Sequence, residues 1–325
     1  MKMLLSLSSL ILVISLAIAF GYRFLKLKKH SLEKVKSFLY NKDSQGNEAP
    51  IVIGHRGGQY EAPENTLIAI KTAKRNGSTA VELDLAFTDD GYGIIIHDET
   101  VDRTTNGTGE VSNFRFHEIR KLNAASKLRT LRYAEGKIEV AGFEQIPTLK
   151  EVVELCKDIE MKIILDVKSD AMATANAILK LSQEIQDLDK FMIVTSFYPQ
   201  VLYSVKWKCP SFLTGLIWRY DYCNLKINGE PRFSGIQHYL MHVVDILGEF
   251  LVHSWLPDFL GLDAVSMNKD HLSRRYINKW RAKNVELMAW TVNNPLEKDF
   301  FLKNLKIPII TDSLLNFEEC PEQEI

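Results

Sequence analysis

The sequence predicts an α/β protein in which eight parallel strands close into a (β/α)8 barrel. From residue 51 to residue 311, short runs rich in β-branched residues alternate with helical patterns, which is typical of a parallel sheet covered by helices. One of the nine predicted strands returns as a hairpin arm, and this leaves eight strands for the barrel. With 325 residues, of which 46% are hydrophobic, the chain is long enough for one large domain of this kind.

The first element is an apolar segment at the N-terminus. Residues 3–22 carry no charge, and about 20 such residues in a helix span the core of a bilayer. We therefore predict a transmembrane helix, with an anchor and its basic flank over residues 1–29. A cleaved secretory signal is the alternative, because residues 17–19 resemble a small-x-small cleavage site. The polar residues 30–50 that follow predict a stalk.

The signals for orientation in the membrane disagree. Four basic residues within 23–29 follow the apolar segment and a single lysine precedes it, which would place the barrel in the cytosol. Glycosylation sequons begin at Asn76 and Asn106, and these predict a lumenal glycoprotein instead.

The body of the chain has nine predicted strands and six predicted helices. The strands are Ile51–His55, Ala80–Phe87, Gly93–His97, Lys162–Lys168, Phe191–Phe197, Leu213–Trp218, Leu262–Met267, Val285–Val292 and Ile307–Thr311. The helices are Asn65–Asn76, Leu149–Ile159, Ala171–Gln186, Pro199–Trp207, Leu272–Lys283 and Pro295–Asn304.

One connection is too short for a parallel crossover. Only residues 88–91 separate the run at 80–87 from the next one, so the third predicted strand must return antiparallel. The midpoint between positions 84 and 97 falls in this turn. Asp84 and His97 are therefore expected to lie opposite each other at the mouth of the barrel.

Two segments do not fit the strand–helix repeat. Within a barrel domain at 51–318, residues 100–147 and 219–260 predict insertions, and residues 319–325 predict a tail. The second insertion contains an apolar stretch at 239–260 in which polar residues recur every three or four positions. A second transmembrane span is rejected, because it would separate two strands from their barrel. A helix lying on a lipid interface and an ordinary helix packed on the barrel both remain open.

Ionisable residues cluster at the predicted C-terminal ends of the strands, where (β/α)8 barrels carry their reactive groups. Glu82 and Asp84 share one face of a strand, and Asp166 is expected to face the same lumen. Three carboxylates so placed repel each other unless a cation lies between them. Oxygen ligands suit Mg2+ or Ca2+ better than zinc. The alternative is a set of salt bridges that involve Lys168.

Two histidines are expected beside this acidic cluster. His55 and His97 suit proton transfer in both directions near neutral pH, while Arg56 and Lys168 supply positive charge for a phosphate. These groups predict metal-assisted cleavage of a phosphate ester. Trp290, at the end of a later strand, is either a stacking surface for the ligand or a core residue.

These residues stand in motifs that resemble the glycerophosphodiester phosphodiesterase family. The matching segments, in order along residues 51–313, are Gly54-His55-Arg56-Gly57-Gly58, Ala62-Pro63-Glu64-Asn65-Thr66, Val81-Glu82-Leu83-Asp84-Leu85, His97-Asp98-Glu99-Thr100-Val101-Asp102-Arg103-Thr104-Thr105, Ala289-Trp290-Thr291-Val292-Asn293 and Ile310-Thr311-Asp312. The resemblance implies a TIM barrel of the phosphatidylinositol phospholipase C-like type, with a small insertion after the second strand. It also implies hydrolysis of glycerophosphodiesters to sn-glycerol 3-phosphate and an alcohol.

Carried over by position, the resemblance makes His55 and His97 the acid–base pair. It makes Glu82 and Asp84 metal ligands. The third expected ligand, Asp166, departs from most members, which have a glutamate there. The residues implied in holding phosphate and glycerol are Arg56, Glu64 and Lys168. Similarity to the membrane-anchored animal members implies glycerophosphoinositol and N-acyl or lyso-glycerophosphoethanolamine as substrates, a plasma-membrane or endomembrane location, and a lumenal or extracellular barrel.

Other functions are less well supported by the sequence. The 40 basic and 41 acidic residues give a net charge of -1, which argues against a nucleic-acid binder. The four cysteines show no C-x-x-C spacing, so a zinc ribbon is not expected. The alternatives are a phospholipase C-like or lysophospholipase D-like enzyme on membrane lipid, and a non-catalytic membrane-tethered barrel.

Overall fold

The computed structural model describes residues 20–127 and 142–315. The predicted tail and most of the predicted transmembrane helix lie outside these residues. Across the two described ranges, every helix is too short or too polar to cross a membrane.

Eleven strands are described. They are β1 (Tyr40–Lys42), β2 (Glu48–Pro50), β3 (Val52–Gly54), β4 (Ala80–Phe87), β5 (Gly93–Ile95), β6 (Lys162–Val167), β7 (Met192–Ser196), β8 (Leu213–Trp218), β9 (Ala264–Asn268), β10 (Glu286–Trp290) and β11 (Ile309–Thr311). The parallel strands follow the order β3, β4, β6, β7, β8, β9, β10, β11, and β11 pairs again with β3. The predicted eight-stranded parallel barrel is therefore confirmed.

Helices cover the outside of the barrel and form the connections. They are α1 (Leu32–Leu39), α2 (Leu67–Arg75), α3 (Phe116–Ile119), α4 (Leu149–Asp158), α5 (Ala171–Glu184), α6 (Leu188–Phe191), α7 (Pro199–Lys208), α8 (Gly235–His253), α9 (Leu256–Leu260), α10 (Arg274–Arg281) and α11 (Pro295–Asp299). Several of them begin at side chains that cap the free backbone N–H groups of the first turn. The Thr66 hydroxyl accepts from Ala69 N, and Thr148 and Glu151 form a reciprocal capping box.

Strand β5 forms the expected hairpin. It pairs antiparallel with β4, with Leu85 opposite Ile95 and Phe87 opposite Gly93. Just beyond the strand, Ile96 N donates to Asp84 O over 2.9 Å. The short turn at 88–91 thus brings the backbone near position 97 alongside position 84, as the spacing predicts.

The barrel interior has an apolar floor. The lumen is filled near its N-terminal end by one side chain from each barrel strand: Ile53, Ala80, Ile164, Ile193, Leu213, Ala264, Met288 and Ile310. Charged residues on β4 and β6 continue the same inward rows at positions 82, 84 and 166. This floor separates the charged layer from the opposite end of the barrel.

The prediction of a stalk at residues 30–50 is wrong. These residues form α1 and the antiparallel pair β1–β2, and α1 closes the N-terminal end of the barrel. Val35, Phe38 and Leu39 are buried against the apolar floor. The Lys162 ammonium donates to the carbonyl of Phe38 over 2.7 Å, which satisfies an unpaired carbonyl at the C-terminus of α1.

Candidate active site

The three predicted carboxylates meet in the lumen. In the parallel pairing of β4 with β6, Asp84 lies beside Asp166, and Glu82 is two residues earlier on the same face. All three side chains are buried, and one oxygen of each lies within 4.8 Å of the others. Such a group of oxygen atoms can hold a divalent metal ion.

Burial and mutual repulsion act strongly on these carboxylates. Burial, together with the charge of Asp84, raises the pKa of Glu82 to about 8. Burial also raises the pKa of Asp166. Burial opposes ionisation of Asp84 as well, but the charges of Lys168, His97 and Arg56 and the hydrogen bond from Asn65 together outweigh it and hold the pKa of Asp84 well below its usual range. The positive charge in the lumen thus does not offset the cost of burying Glu82 and Asp166.

The salt bridges that the sequence left as an alternative are present in part. The Lys168 ammonium lies 2.9 Å from Asp84 Oδ1 and 2.8 Å from Asp166 Oδ2. Oδ1 of Asp166, however, is buried and has no hydrogen-bond partner among the residues that the structure describes. A buried carboxylate oxygen without a donor is costly, and this oxygen fits a metal ligand.

His55 follows β3 directly and is held by a buried carboxylate. Its Nδ1–H donates to Asp312, the residue after β11. Its Nε2 lies 3.8 Å from Glu82 Oε2. Burial lowers the pKa of His55, but the charge and the hydrogen bond of Asp312 outweigh this effect, and the pKa is raised overall. Burial opposes ionisation of Asp312, but the charge of His55 and its hydrogen bond to the carboxyl, with smaller contributions from Asn293 and Gln59, lower the pKa of Asp312 to about 2.

His97 lies across the acidic cluster, as the hairpin geometry predicts. Its Nε2 is 4.0 Å from Asp84 Oδ1, and its Nδ1–H donates to Asp98 Oδ1 over 2.7 Å. Burial lowers the pKa of His97, and the charge of Asp84 opposes but does not cancel this effect. The two histidines therefore share one design, in which a carboxylate behind the ring fixes Nδ1 and leaves Nε2 directed at the carboxylate cluster.

A tight turn carries Arg56 into the lumen. Arg56 has φ 50°, and the following Gly57 has φ 84°, a region where L side chains are strained. A Cβ on Gly57 would come within 2.7 Å of the Cβ of Ala69, so only glycine fits there. The turn lets Arg56 N donate to Glu82 Oε2 over 3.0 Å, while its guanidinium donates to Glu64 Oε1 over 3.0 Å.

Glu64 connects Arg56 to a second arginine. The guanidinium of Arg103 donates to both oxygens of Glu64, at 2.7 and 2.8 Å, and also to Asp98. Burial raises the pKa of Glu64, but the two arginines outweigh it and the pKa is lowered overall. This network ties the Arg56 turn to the carboxylate that orients His97.

Trp290 stands on the other side of the mouth. Its indole Nε1–H donates to Ser266 O over 2.9 Å, and its ring meets Phe197 edge-on, with 6.0 Å between centroids. Tyr222, from the second insertion, stacks on Phe197 at 4.5 Å. Trp290 is half-buried, so its ring both packs on the apolar floor and borders the open lumen.

Four residues that orient the site were quoted in the sequence motifs without a role. They are Asn65, Asp98, Arg103 and Asp312. Asn65 is buried, and its amide donates to Asp84 Oδ2 over 2.9 Å while its carbonyl accepts from Asp84 N. The signal for Asp312 was available, because it directly follows the last predicted strand, where reactive groups are expected.

Comparison with known proteins agrees with this geometry. A model described as the glycerophosphoryl diester phosphodiesterase family matches residues 55–315. The chain belongs to this family. Over 301 residues it is 38% identical to glycerophosphodiester phosphodiesterase 1 of Bos taurus and 36% identical to that of Homo sapiens, and each match covers 92% of this chain and 88% of the relative.

Solved structures of family members show the same barrel. A phosphodiesterase of Oleispira antarctica, in complex with the product sn-glycerol-3-phosphate, matches with a TM-score of 0.62 and 25% identity, covering 81% of this chain and 93% of that chain. A glycerophosphodiester phosphodiesterase of Thermotoga maritima matches with a TM-score of 0.54 at 22% identity, covering 81% and 95%, and supports the fold alone. The predicted enzyme class is thus confirmed, and the chain is a phosphodiesterase for glycerophosphodiesters.

Proposed function

We propose that this chain uses His55 and His97 as an acid–base pair, with a divalent ion, to hydrolyse glycerophosphodiesters to sn-glycerol 3-phosphate and an alcohol. The observation that carries the proposal is the matched arrangement of the two imidazoles. Each donates from Nδ1 to its own carboxylate, and each lies within about 4 Å of an oxygen of the acidic cluster through Nε2. A pair placed in this way can take a proton from the attacking oxygen and return one to the leaving oxygen.

The cationic residues suit the phosphate. Arg56 and Lys168 are both anchored by lumenal carboxylates, which preorganises their positive charge before the substrate arrives. Glu64 is the candidate acceptor for a glycerol hydroxyl, although Arg56 and Arg103 already engage its oxygens. Trp290 is the candidate apolar wall beside the glycerol or the alcohol.

Glu82, Asp84 and Asp166 are the proposed metal ligands, and Mg2+ is the proposed ion, with Ca2+ as the alternative. The fit rests on three converging oxygens and on the unpartnered Oδ1 of Asp166. When bound, such an ion neutralises charge on the phosphate oxygens and lowers the barrier to attack on phosphorus. The chain's own contribution is to hold these ligands rigidly on β4 and β6 above the apolar floor.

The finer substrate and the location are also proposed. Glycerophosphoinositol and N-acyl or lyso-glycerophosphoethanolamine are the proposed diesters, and membrane lipid is the proposed environment. The N-terminal run of charge-free residues and the similarity to animal glycerophosphodiester phosphodiesterase 1 support a membrane-anchored enzyme. The sequon at Asn106 supports a lumenal or extracellular barrel, since its side chain is exposed.

The test is hydrolysis of a panel of glycerophosphodiesters by the purified full chain, with release of glycerol 3-phosphate as the readout. His97→Ala is expected to lower kcat by ~10²- to 10⁴-fold, the usual contribution of a general acid or base. His117→Ala is the matched control, because that imidazole is exposed outside the lumen, and it is expected to leave kcat unchanged. Chelation with EDTA is expected to stop turnover until Mg2+ or Ca2+ is restored. Normal turnover by a folded His97→Ala protein would refute the assigned role.

A further inference from the structure

The second insertion carries a helix with its apolar side turned away from the protein. In α8 the less exposed positions are 238, 241, 245, 248, 251, 252 and 253, and most of them lie along one face. The large apolar side chains on the rest of its surface are exposed: Ile236, Tyr239, Leu240, Val243, Val244, Ile246, Leu247 and Phe250. A helix on a water-facing surface normally has the opposite arrangement, so water is a poor partner for this side of α8.

Polar contacts fix this orientation of α8. The buried carboxylate of Asp245 accepts from the backbone N–H groups of Cys223 and Asn224, at 2.8 and 2.9 Å. Near the C-terminal end, His253 Nε2 lies 2.8 Å from the hydroxyl of Tyr276. Rotating the helix to bury its apolar side would break these bonds and leave buried groups unpaired. The apolar side is therefore held outward by the attachment itself.

The apolar N-terminal run meets the protein beside this helix. Residues 3–22 carry no charge, and the described part of this run packs through Tyr22 onto Trp255 and Phe259, at 6.2 and 5.6 Å between ring centroids. Trp255 lies just after the end of α8, and Phe259 lies in α9, the next helix. Exposed basic side chains come next along the chain: Arg23, Lys26 and Lys28. An apolar surface beside interfacial aromatics and basic residues is typical of contact with a lipid bilayer.

The same surface borders the mouth of the barrel. The loop that connects β8 to α8 includes Tyr222, whose ring stacks on Phe197 beside Trp290. The next residue, Cys223, is one of the two that donate to Asp245 of α8. A continuous series of contacts thus runs from the candidate site to the outward-facing helix.

We propose that the apolar side of α8 lies in a lipid surface, with the helix axis parallel to the membrane plane, and that this contact holds the barrel mouth against the lipid. Two observations favour lying on the membrane over crossing it. The helix contains Asp245 and Glu249, which are costly in a bilayer core, and its polar side is attached to the barrel. A lipid surface covers the exposed apolar residues without breaking either attachment.

The test uses the full chain with Cys223 and Cys320 replaced by serine and a nitroxide on a single introduced cysteine. Ile236→Cys, Val243→Cys and Phe250→Cys place labels seven residues apart on one exposed stripe. Lys150→Cys, on α4, is the control. Accessibility to oxygen and to a water-soluble nickel chelate is measured with and without vesicles of phosphatidylcholine and phosphatidylserine.

The expected result is that vesicles protect all three stripe labels from nickel, at similar depths, and leave the control label accessible. Nickel accessibility equal to that of the control would overturn the proposal. Membrane depths that change steadily over the ~21 Å between the first and last label would also overturn the proposal, because this pattern indicates a helix that crosses the membrane. Protection from nickel in the absence of vesicles would indicate that the N-terminal segment covers the stripe. Spin–spin broadening that increases with protein concentration would indicate that a second copy of the chain covers it. Either result would overturn the proposal.

Discussion

The carboxylate behind His55 gives the sharpest test of how this site is built. Asp312 is fully buried and accepts the Nδ1–H of His55, and it also accepts from the amide of Asn293 over 2.7 Å. Asp312→Asn keeps the size of the side chain and removes its charge. Because the carboxylate contacts the ring of His55, the proposed acid or base, we expect the variant to bind substrate normally and to turn over slowly.

The magnitude follows from the interaction that is lost. A hydrogen bond to a charged group contributes about 1.5–3 kcal/mol, and each 1.4 kcal/mol corresponds to a tenfold change in rate. If the full interaction with the imidazolium is expressed in the transition state, Asp312→Asn lowers kcat by ~10- to 150-fold. The KM is expected to stay within about twofold, because the lost interaction is with His55 and not with the ground-state substrate.

The assay measures kcat and KM for a water-soluble glycerophosphodiester, with a thermal melt on the same sample. The matched control is Asp263→Asn, because Asp263 is also a fully buried carboxylate bonded to an imidazole, with its Oδ1 3.1 Å from Nδ1 of His30. It lies at the opposite end of the barrel. The control is expected to lose stability and keep kcat. A folded Asp312→Asn protein with unchanged kcat, or one whose loss appears in KM alone, would show that Asp312 does not act through His55.

Two further predictions concern stability. Phe38→Ala is expected to lower the free energy of unfolding in urea by ~3–5 kcal/mol, since this ring is buried at the floor of the barrel. Lys36→Ala, on the same helix, removes a partly exposed side chain whose ammonium pairs with Glu48 at the surface, and it should change the free energy of unfolding by less than ~1 kcal/mol. Asp263→Asn is expected to lower the free energy of unfolding by ~3–5 kcal/mol, because it removes the carboxylate that neutralises the buried ammonium of Lys206. Burial opposes ionisation of Asp263, but its hydrogen bonds and ion pairs with His30 and Lys206 lower its pKa overall. The stability that the ionised carboxylate contributes is therefore complete above the pKa of the unfolded state, near ~4, and it is lost as the pH falls through the lower pKa of the folded state. The free energies of unfolding of wild type and Asp263→Asn, measured by urea titration, should therefore differ at neutral pH and converge in acid. A difference that stays constant with pH would contradict a stabilising role for the ionised Asp263.

The position of the site was predictable because it depends on strand ends and on one short turn. A four-residue connection allows only an antiparallel return, and this constraint places His97 opposite Asp84 without any knowledge of side-chain packing. The register of β4 against β6 then brings Asp166 beside Asp84. Local rules are sufficient here, because each step concerns neighbours in one sheet.

The closure of the barrel base could not be predicted in the same way. Residues 41–48 are polar, and they dominate the composition of the segment that we expected to be a stalk. The apolar residues Val35, Phe38 and Leu39 fill a single short helix, which is too brief to give a clear periodic pattern. Their burial is decided by the open end of the barrel, and this end is assembled from strands that lie far away in the sequence.

The partners of the histidines were missed for a related reason. A strand-end survey identifies charged groups that face the lumen, but it does not say which of them contact substrate and which hold another side chain. Asp98 and Asp312 each follow a strand or its extension, so their location was accessible. Their function became apparent only when the distances to Nδ1 were known.

The three carboxylates lie directly above the apolar floor of the lumen, and this position determines the energetic cost of burying them. Burying Glu82, Asp84 and Asp166 together costs solvation energy for each of them, and the single ammonium of Lys168 contacts only two of the three. A stable barrel would replace such residues with apolar ones, as it does one layer lower at Ala80 and Ile164. Because the floor keeps water away from below, and because Asn65 and Lys168 already fix Asp84, the remaining charge is balanced best by a ligand that enters from the mouth. The same burial that makes the three carboxylates costly to the fold therefore favours the binding of a divalent cation.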